Sequence, residues 1–153
     1  MNIRKLSAAD DLAPAIDLLC RFFSEEGFST EPDTITAHTR QMASLHTCGL
    51  FIAEDRGRAI GVATVSLEFG IEYGWSAEMG DLYIDPEYRG RGLSRIMIAA
   101  VESFLKERGV AGYQVTVTPH ASEHDIARYY SRLGFGSEGR VILYKKLVSS
   151  LKN

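Results

Sequence analysis

The apolar run Leu82-Tyr83-Ile84 passes directly into Asp85-Pro86-Glu87-Tyr88-Arg89-Gly90-Arg91-Gly92-Leu93-Ser94 and then into a strongly amphipathic stretch. This order commits the chain to a strand that meets a helix through a short basic loop holding two glycines. Such a junction points several backbone N–H groups at one spot, at the positive end of a helix dipole. Arg89 and Arg91 add full charges there. A tight turn that merely used glycines would not need the flanking arginines, so the residues describe a site for a phosphate-bearing ligand.

The remainder of the chain supplies elements around that junction. Ile3 to Leu6 suits a short first strand, and Asp10 to Glu26 a helix with Leu12, Ile16, Leu19, Cys20 and Phe23 on one face, closed by Gly27. Pro32 fits the first turn of a second helix over Asp33 to Leu45. Leu50 to Ala53 and Ala59 to Phe69 read as a hairpin turned at Asp55-Arg56-Gly57-Arg58, and Ser76 to Ile84 as the next strand. Beyond the loop, Leu93, Ile96, Met97, Ala100, Val101, Phe104 and Leu105 form one helical stripe that ends at Gly109. Tyr113 to Thr118 is rich in β-branched residues and reads as a strand. Ser122-Glu123-His124-Asp125 resembles a capping box for a helix bearing Ile126, Tyr130 and Leu133, and Arg140 to Leu147 alternates like a last strand. The expected order is β-α-α-β-β-β-α-β-α-β, a mixed α/β sheet flanked by helices. It forms one domain over 1–148, with a frayed tail at 149–153.

Composition narrows the function. The 153 residues carry a net charge of −3, which excludes a general nucleic-acid binder and makes the basic loop a local feature. Cys20 and Cys48 lack metal-ligand spacing and suggest free thiols in a reducing compartment, read as the cytoplasm. No metal site is expected, and no apolar run approaches the length of a membrane span.

The loop departs from two common nucleotide sites. It lacks the Gly-Lys-Ser/Thr of a Walker loop, and Gly90-Arg91-Gly92-Leu93-Ser94 is followed by Arg95 where a dinucleotide fingerprint would have its third glycine. It resembles instead the acetyl-CoA loop of the GNAT superfamily of N-acetyltransferases, Arg/Gln-x-x-Gly-x-Gly/Ala. Arg89, Gly92 and Ser94 stand at the three fixed positions, with Ser in place of Gly/Ala at the third. The preceding Asp81 to Tyr88 looks like the superfamily's fourth strand and its exit, and Ala127 to Phe135 like its later helix and turn. The element order agrees over nearly the whole chain.

The resemblance implies that acetyl-CoA is the co-substrate. Its pyrophosphate would lie on the backbone of Arg89, Gly90, Arg91, Gly92, Leu93 and Ser94. Its pantetheine arm would lie between splayed fourth and fifth strands, on the backbone of Leu82, Tyr83 and Ile84. It implies transfer to a primary amine by direct attack, since neither cysteine has a His-Asp arrangement beside it in sequence. Tyr130 matches the family's tyrosine, five residues before Phe135, and a phenol near pKa 10 suits protonation of the departing thiolate. Many relatives carry a glutamate on the fourth strand where this chain has Gly80. Glu78, acting through water, is the first candidate base. A bulge at Gly80 would turn Asp81 inward instead. His120 and His124 are further candidates, and His124 stands where relatives often have an asparagine, as a contact to the CoA arm or a helix cap.

The acceptor side is expected at Phe22 to Asp33 and at Glu68 to Trp75, where carboxylates mix with aromatics, as suits a small cationic amine. Relatives are often dimers, so a homodimer stays open. The alternative is a domain of the same fold that binds CoA or a partner without catalysis, for which the missing glutamate at Gly80 is the best support. A nucleotide-binding domain is a third alternative.

Overall fold

The computed structural model describes residues 1–119 and 125–148. They fall into two compact units, Met1–Thr116 and a second from Val117 onward, each described by itself.

The first unit is a five-stranded sheet in the order β1-β2-β3-β4-β5, covered on both faces by helices. Its strands are β1 (Asn2–Leu6), β2 (Cys48–Asp55), β3 (Arg58–Gly70), β4 (Gly74–Ile84) and β5 (Tyr113–Val115), and its helices are α1 (Ala13–Glu26), α2 (Pro32–Ser44) and α3 (Leu93–Glu107). Neighbours pair antiparallel except β4 and β5, which pair parallel. Both α1 and α2 have a proline in the first turn, where a missing N–H costs nothing. α1 ends in a left-handed Gly27, and the Phe28 amide returns to the Phe23 carbonyl while the two rings meet edge to face. The strands of the expected hairpin exist with longer limits. Cys48 opens β2 and is buried.

Alternation of side chains along the strands splits the core in two. Phe51, Ala53, Ala63, Val65, Ala77 and Ile84 pack beneath α3. Leu50, Ile52, Val62 and Tyr83 pack beneath α1 and α2 with Leu18, Leu19 and Ile35. On α3 the buried stripe is Leu93, Met97, Ile98, Val101, Phe104 and Leu105, so Ile98 takes the buried place expected for Ile96, which is 46% exposed. Helical periodicity sets the width of a stripe, while the sheet beneath decides which flank it covers. Met97 is 0% exposed at the centre of this stripe. Met97→Ala is expected to cost about 3 kcal/mol of unfolding free energy, read from the urea midpoint at unchanged slope.

The second unit holds one described helix, α4 (Ile126–Arg132), which ends where expected, with the Gly134 amide bonded to the Ser131 carbonyl. The strand expected over Arg140 to Leu147 does not form. Those residues have no regular structure, and Val141, Ile142, Leu143, Tyr144 and Leu147 are exposed. Alternation makes a segment suited to a sheet, but a strand also needs a partner's backbone, which no local pattern supplies.

Candidate active site

The chemistry of β4 is set by a fault in its pairing. Thr64 of β3 sits opposite Asp81 and Val65 opposite Met79, so Gly80 is an extra residue without a rung. A bulge of this kind reverses the alternation that follows it. Ala77 lies beneath α3 before the bulge, yet Leu82 and Ile84 lie there after it. Glu78 and Asp81, three residues apart, therefore share the face of Tyr83 under α1 and α2. The alternative of an inward Asp81 is the one realised. A Cβ on Gly80 would stand 3.2 Å from the Thr64 hydroxyl, so a side chain there would crowd the group that holds Asp81.

Thr64 is buried, and its hydroxyl donates to Asp81 Oδ2 at 2.5 Å while accepting from the Asp81 amide at 3.0 Å. Burial pushes the Asp81 carboxyl above the ordinary aspartate range. The Glu78 charge pushes the same way, and the Thr64 bond opposes them without reversing the shift. Glu78 is half-buried and accepts a hydrogen bond from Thr116 Oγ1 at 3.0 Å. The result is a carboxyl pair with unlike surroundings, Asp81 held by a buried hydroxyl and Glu78 by Thr116.

The same strand then leaves its neighbour. Pairing with β5 covers Ala77, Glu78 and Met79 only, and β4 continues to Ile84 without a β5 partner. The Leu82, Tyr83 and Ile84 backbone thus lies on this splayed stretch. Past it, Pro86–Tyr88 make one 3-10 turn, Gly90 and Gly92 take φ of 74° and 77°, and α3 begins at Leu93. Gly92 is the N-cap and offers no side chain, so no side-chain bond caps the first turn of α3. That helix end is electropositive, and Arg91 lies beside it, its guanidinium 5.3 Å from the Tyr88 ring centroid. Leu93 is buried as an anchor of the helix, and Ser94 follows it in the first turn. The Arg89 side chain turns away to α1, where Nη1 and Nη2 each lie 2.9 Å from a Glu25 carboxylate oxygen, and its Nε donates to the Ile84 carbonyl at 3.0 Å. Arg89 is a strut of the loop, and Glu25, expected on the acceptor side, is its partner. Local sequence held no sign of this pair.

Tyr130 lies on α4, its ring edge-on to Tyr129 and Phe135 at 5.4 and 5.2 Å. Burial, with a smaller contribution from Tyr129, pushes its phenol up to about 12. His120 and His124 lie outside the described residues. Among the described residues no group of three or more His, Cys, Asp or Glu side chains is arranged to hold a metal ion. No described helix is long and apolar enough to cross a membrane.

Comparison with known proteins bears on the family and the fold. The uncharacterized N-acetyltransferase YhbS of Escherichia coli (strain K12) is 30% identical over 125 residues, which cover 80% of this chain and 67% of the relative. The uncharacterized N-acetyltransferase MJ1207 of Methanocaldococcus jannaschii is 28% identical over 89 residues, and the match spans 57% of this chain but only 38% of that protein. In fold, the chain superposes on an aminoglycoside N-acetyltransferase, AAC(6')-Iy in complex with CoA, with a TM-score of 0.80 at 22% identity over 96% of this chain and 95% of that one. It also superposes on a ribosomal-protein-alanine N-acetyltransferase from Brucella melitensis, with a TM-score of 0.76 at 13% identity over 95% and 100%. Residues 12–135 match the Acetyltransferase (GNAT) family, so the chain belongs to that family and is an N-acetyltransferase.

Proposed function

We propose that the enzyme takes its acyl group from acetyl-CoA and passes it to the primary amine of a small cationic molecule by direct attack. The observation that carries this reading is β4 itself. One strand holds the Asp81 carboxyl at its bulge, continues past its last β5 rung, and runs into the uncapped end of α3. The pantetheine arm lies along Leu82, Tyr83 and Ile84, and the pyrophosphate on the amides of Arg89 to Ser94. A fold neighbour was crystallised with CoA, which supports an acyl-CoA donor. We treat residues 1–148 as one catalytic domain, since the family match crosses the boundary between the two units.

The acceptor arrives as an ammonium ion. The Asp81 carboxylate, with Glu78 beside it as the second candidate, takes a proton and frees the lone pair. The amine nitrogen forms a bond to the thioester carbonyl carbon, and the C–S bond breaks as the tetrahedral intermediate collapses. The nitrogen gives up a further proton and the sulfur gains one, so the products are amide, free CoA thiol and one proton released to solvent. Tyr130 is assigned the acid's role on its match to the family. A phenol raised to about 12 stays protonated over the working pH range, so the donor is always loaded, though giving its proton to a thiolate is further uphill than from an ordinary phenol.

Tyr130→Phe is expected to lower kcat about a hundredfold with little change in CoA affinity, and Tyr129→Phe to stay within about threefold of the parent. Equal losses in both would remove Tyr130 from the mechanism. The wider reading is tested by thiol release from acetyl-CoA across polyamines, aminoglycosides, amino acids and peptide amines. Aminoglycosides are included because two fold neighbours are aminoglycoside acetyltransferases. Gly80 was the best support for a domain that binds CoA without catalysis, and the inward Asp81 answers it. Tight CoA binding with no thiol release from any amine would restore that alternative.

A further inference from the structure

α1 carries Arg21 and Glu25 one helical turn apart, and the exit of β4 carries Asp85 and Arg89, also four residues apart. The two segments are joined by crossed pairs of opposite polarity. Arg21 Nη1 lies 3.1 Å from Asp85 Oδ2, and Glu25 grips Arg89 through both carboxylate oxygens. Sliding α1 by one turn would set Glu25 against Asp85, so this polarity admits one register only. Asp85 is the fixed point. It is 2% exposed, and Oδ2 also accepts from Arg58 Nη2 at 3.0 Å while Oδ1 accepts from the Glu87 amide at 3.0 Å. Its own amide donates to the Ile60 carbonyl, and its carbonyl accepts from the Tyr88 amide. Burial pushes this carboxyl up, but the Glu87 amide and the two guanidiniums outweigh it and hold it below the ordinary aspartate range. Both of the clamp's arginines stand over the Tyr83 ring, with the Arg21 and Arg89 guanidiniums 6.0 and 5.3 Å from its centroid.

None of these side chains is needed to touch a ligand. Together they bracket the turn from Asp85 to Arg89, which aims the amides that follow it. We propose that Arg21 and Glu25 are positioning residues for the acyl donor: α1, from across the sheet exit, holds the loop in the conformation that receives the pyrophosphate of acyl-CoA. The inference rests on the acyl-CoA reading of that loop. It assigns a role in donor binding to a helix whose C-terminal end was expected to serve the acceptor.

The test uses the full chain, with CoA as the calorimetric ligand and acetyl-CoA with an active amine in kinetics. Arg21→Gln and Glu25→Gln are each expected to weaken CoA binding and raise the acetyl-CoA KM by about tenfold, with kcat and the amine KM within about twofold. Arg21→Lys keeps the charge at a single N–O contact and recovers most of the loss. Both glutamine changes are at partly exposed side chains and avoid the buried Asp85, and thermal melting confirms that the variants are folded. CoA affinity unchanged in both folded variants overturns the proposal, as does a lowered melting temperature with intact affinity, which would leave the clamp a purely structural device. If the parent enzyme itself binds no CoA, the acyl-CoA reading of the loop falls, and the clamp's role falls with it.

Discussion

Asp81→Asn is expected to lower kcat about a thousandfold and to leave CoA affinity nearly intact, because it removes the proton acceptor without touching the donor loop. The pH dependence follows from the direction of the shift. The base works ionised, and burial holds its carboxyl above the ordinary range, so activity falls as pH drops through that raised value. The acid limb of the kcat/KM profile then begins above the usual carboxylate range, and the asparagine variant's residual activity lacks that limb. Stability runs the other way. A carboxyl whose folded pKa is raised contributes stability that is complete below its unfolded pKa and lost as pH rises through the folded one. Above that raised value the ionised Asp81 is therefore a burden on the fold. The asparagine variant, which keeps an oxygen for the Thr64 hydroxyl, should melt no lower than the parent, and higher as pH rises. An unchanged kcat would remove Asp81 from the reaction and return the base to Glu78. A lost acid limb in Glu78→Gln with a normal one in Asp81→Asn would do the same.

Gly92→Val attacks the other half of the site. Gly92 sits at φ 77° as the N-cap of α3, a backbone conformation that a β-branched residue adopts only as an outlier. The strain costs about 2 kcal/mol if the loop keeps its shape. If the loop relaxes instead, the amides swing off target, and a misplacement of about 1 Å is enough for a hundredfold loss. The expected result is CoA affinity reduced about a hundredfold with a folded protein, seen by calorimetry beside an unchanged far-ultraviolet spectrum. Near-parental CoA affinity in a folded Gly92→Val protein would show that the ligand does not depend on this turn.

The two halves of the site differ in how far they could be read from residues alone. The donor loop was legible because its information is local. Strand, two glycines, basic residues and helix follow one another within a few positions, and each preference acts on its own neighbourhood. The hairpin at Asp55 to Arg58 was legible for the same reason, and Arg56 and Gly57 both take the positive φ that a tight two-residue turn demands. The inward carboxyl was not. Whether Glu78 alone or Asp81 as well faces the α1 side depends on one unpaired residue in β4, and the Thr64 hydroxyl that holds Asp81 lies 17 positions away. Alternation can be counted only when no residue is skipped, and the skip is decided by the partner strand.

The same division holds across the rest of the molecule. Arg89 stood out as a charge for the ligand, yet its side chain is spent on Glu25, 64 positions earlier. Ile96 and Ile98 were equally apolar, and only the sheet under α3 chose between them. The alternation of Arg140 to Leu147 made no strand. Local residue patterns specified the helices of the first unit, four of its five strands closely, and the basic loop, because propensity, turn chemistry and amphipathic period act within one element. Which carboxyl turns inward at the bulge, and which arginine is a strut, was settled by tertiary packing. Those choices rest on burial and on pairs between residues that the chain brings together after its elements have formed.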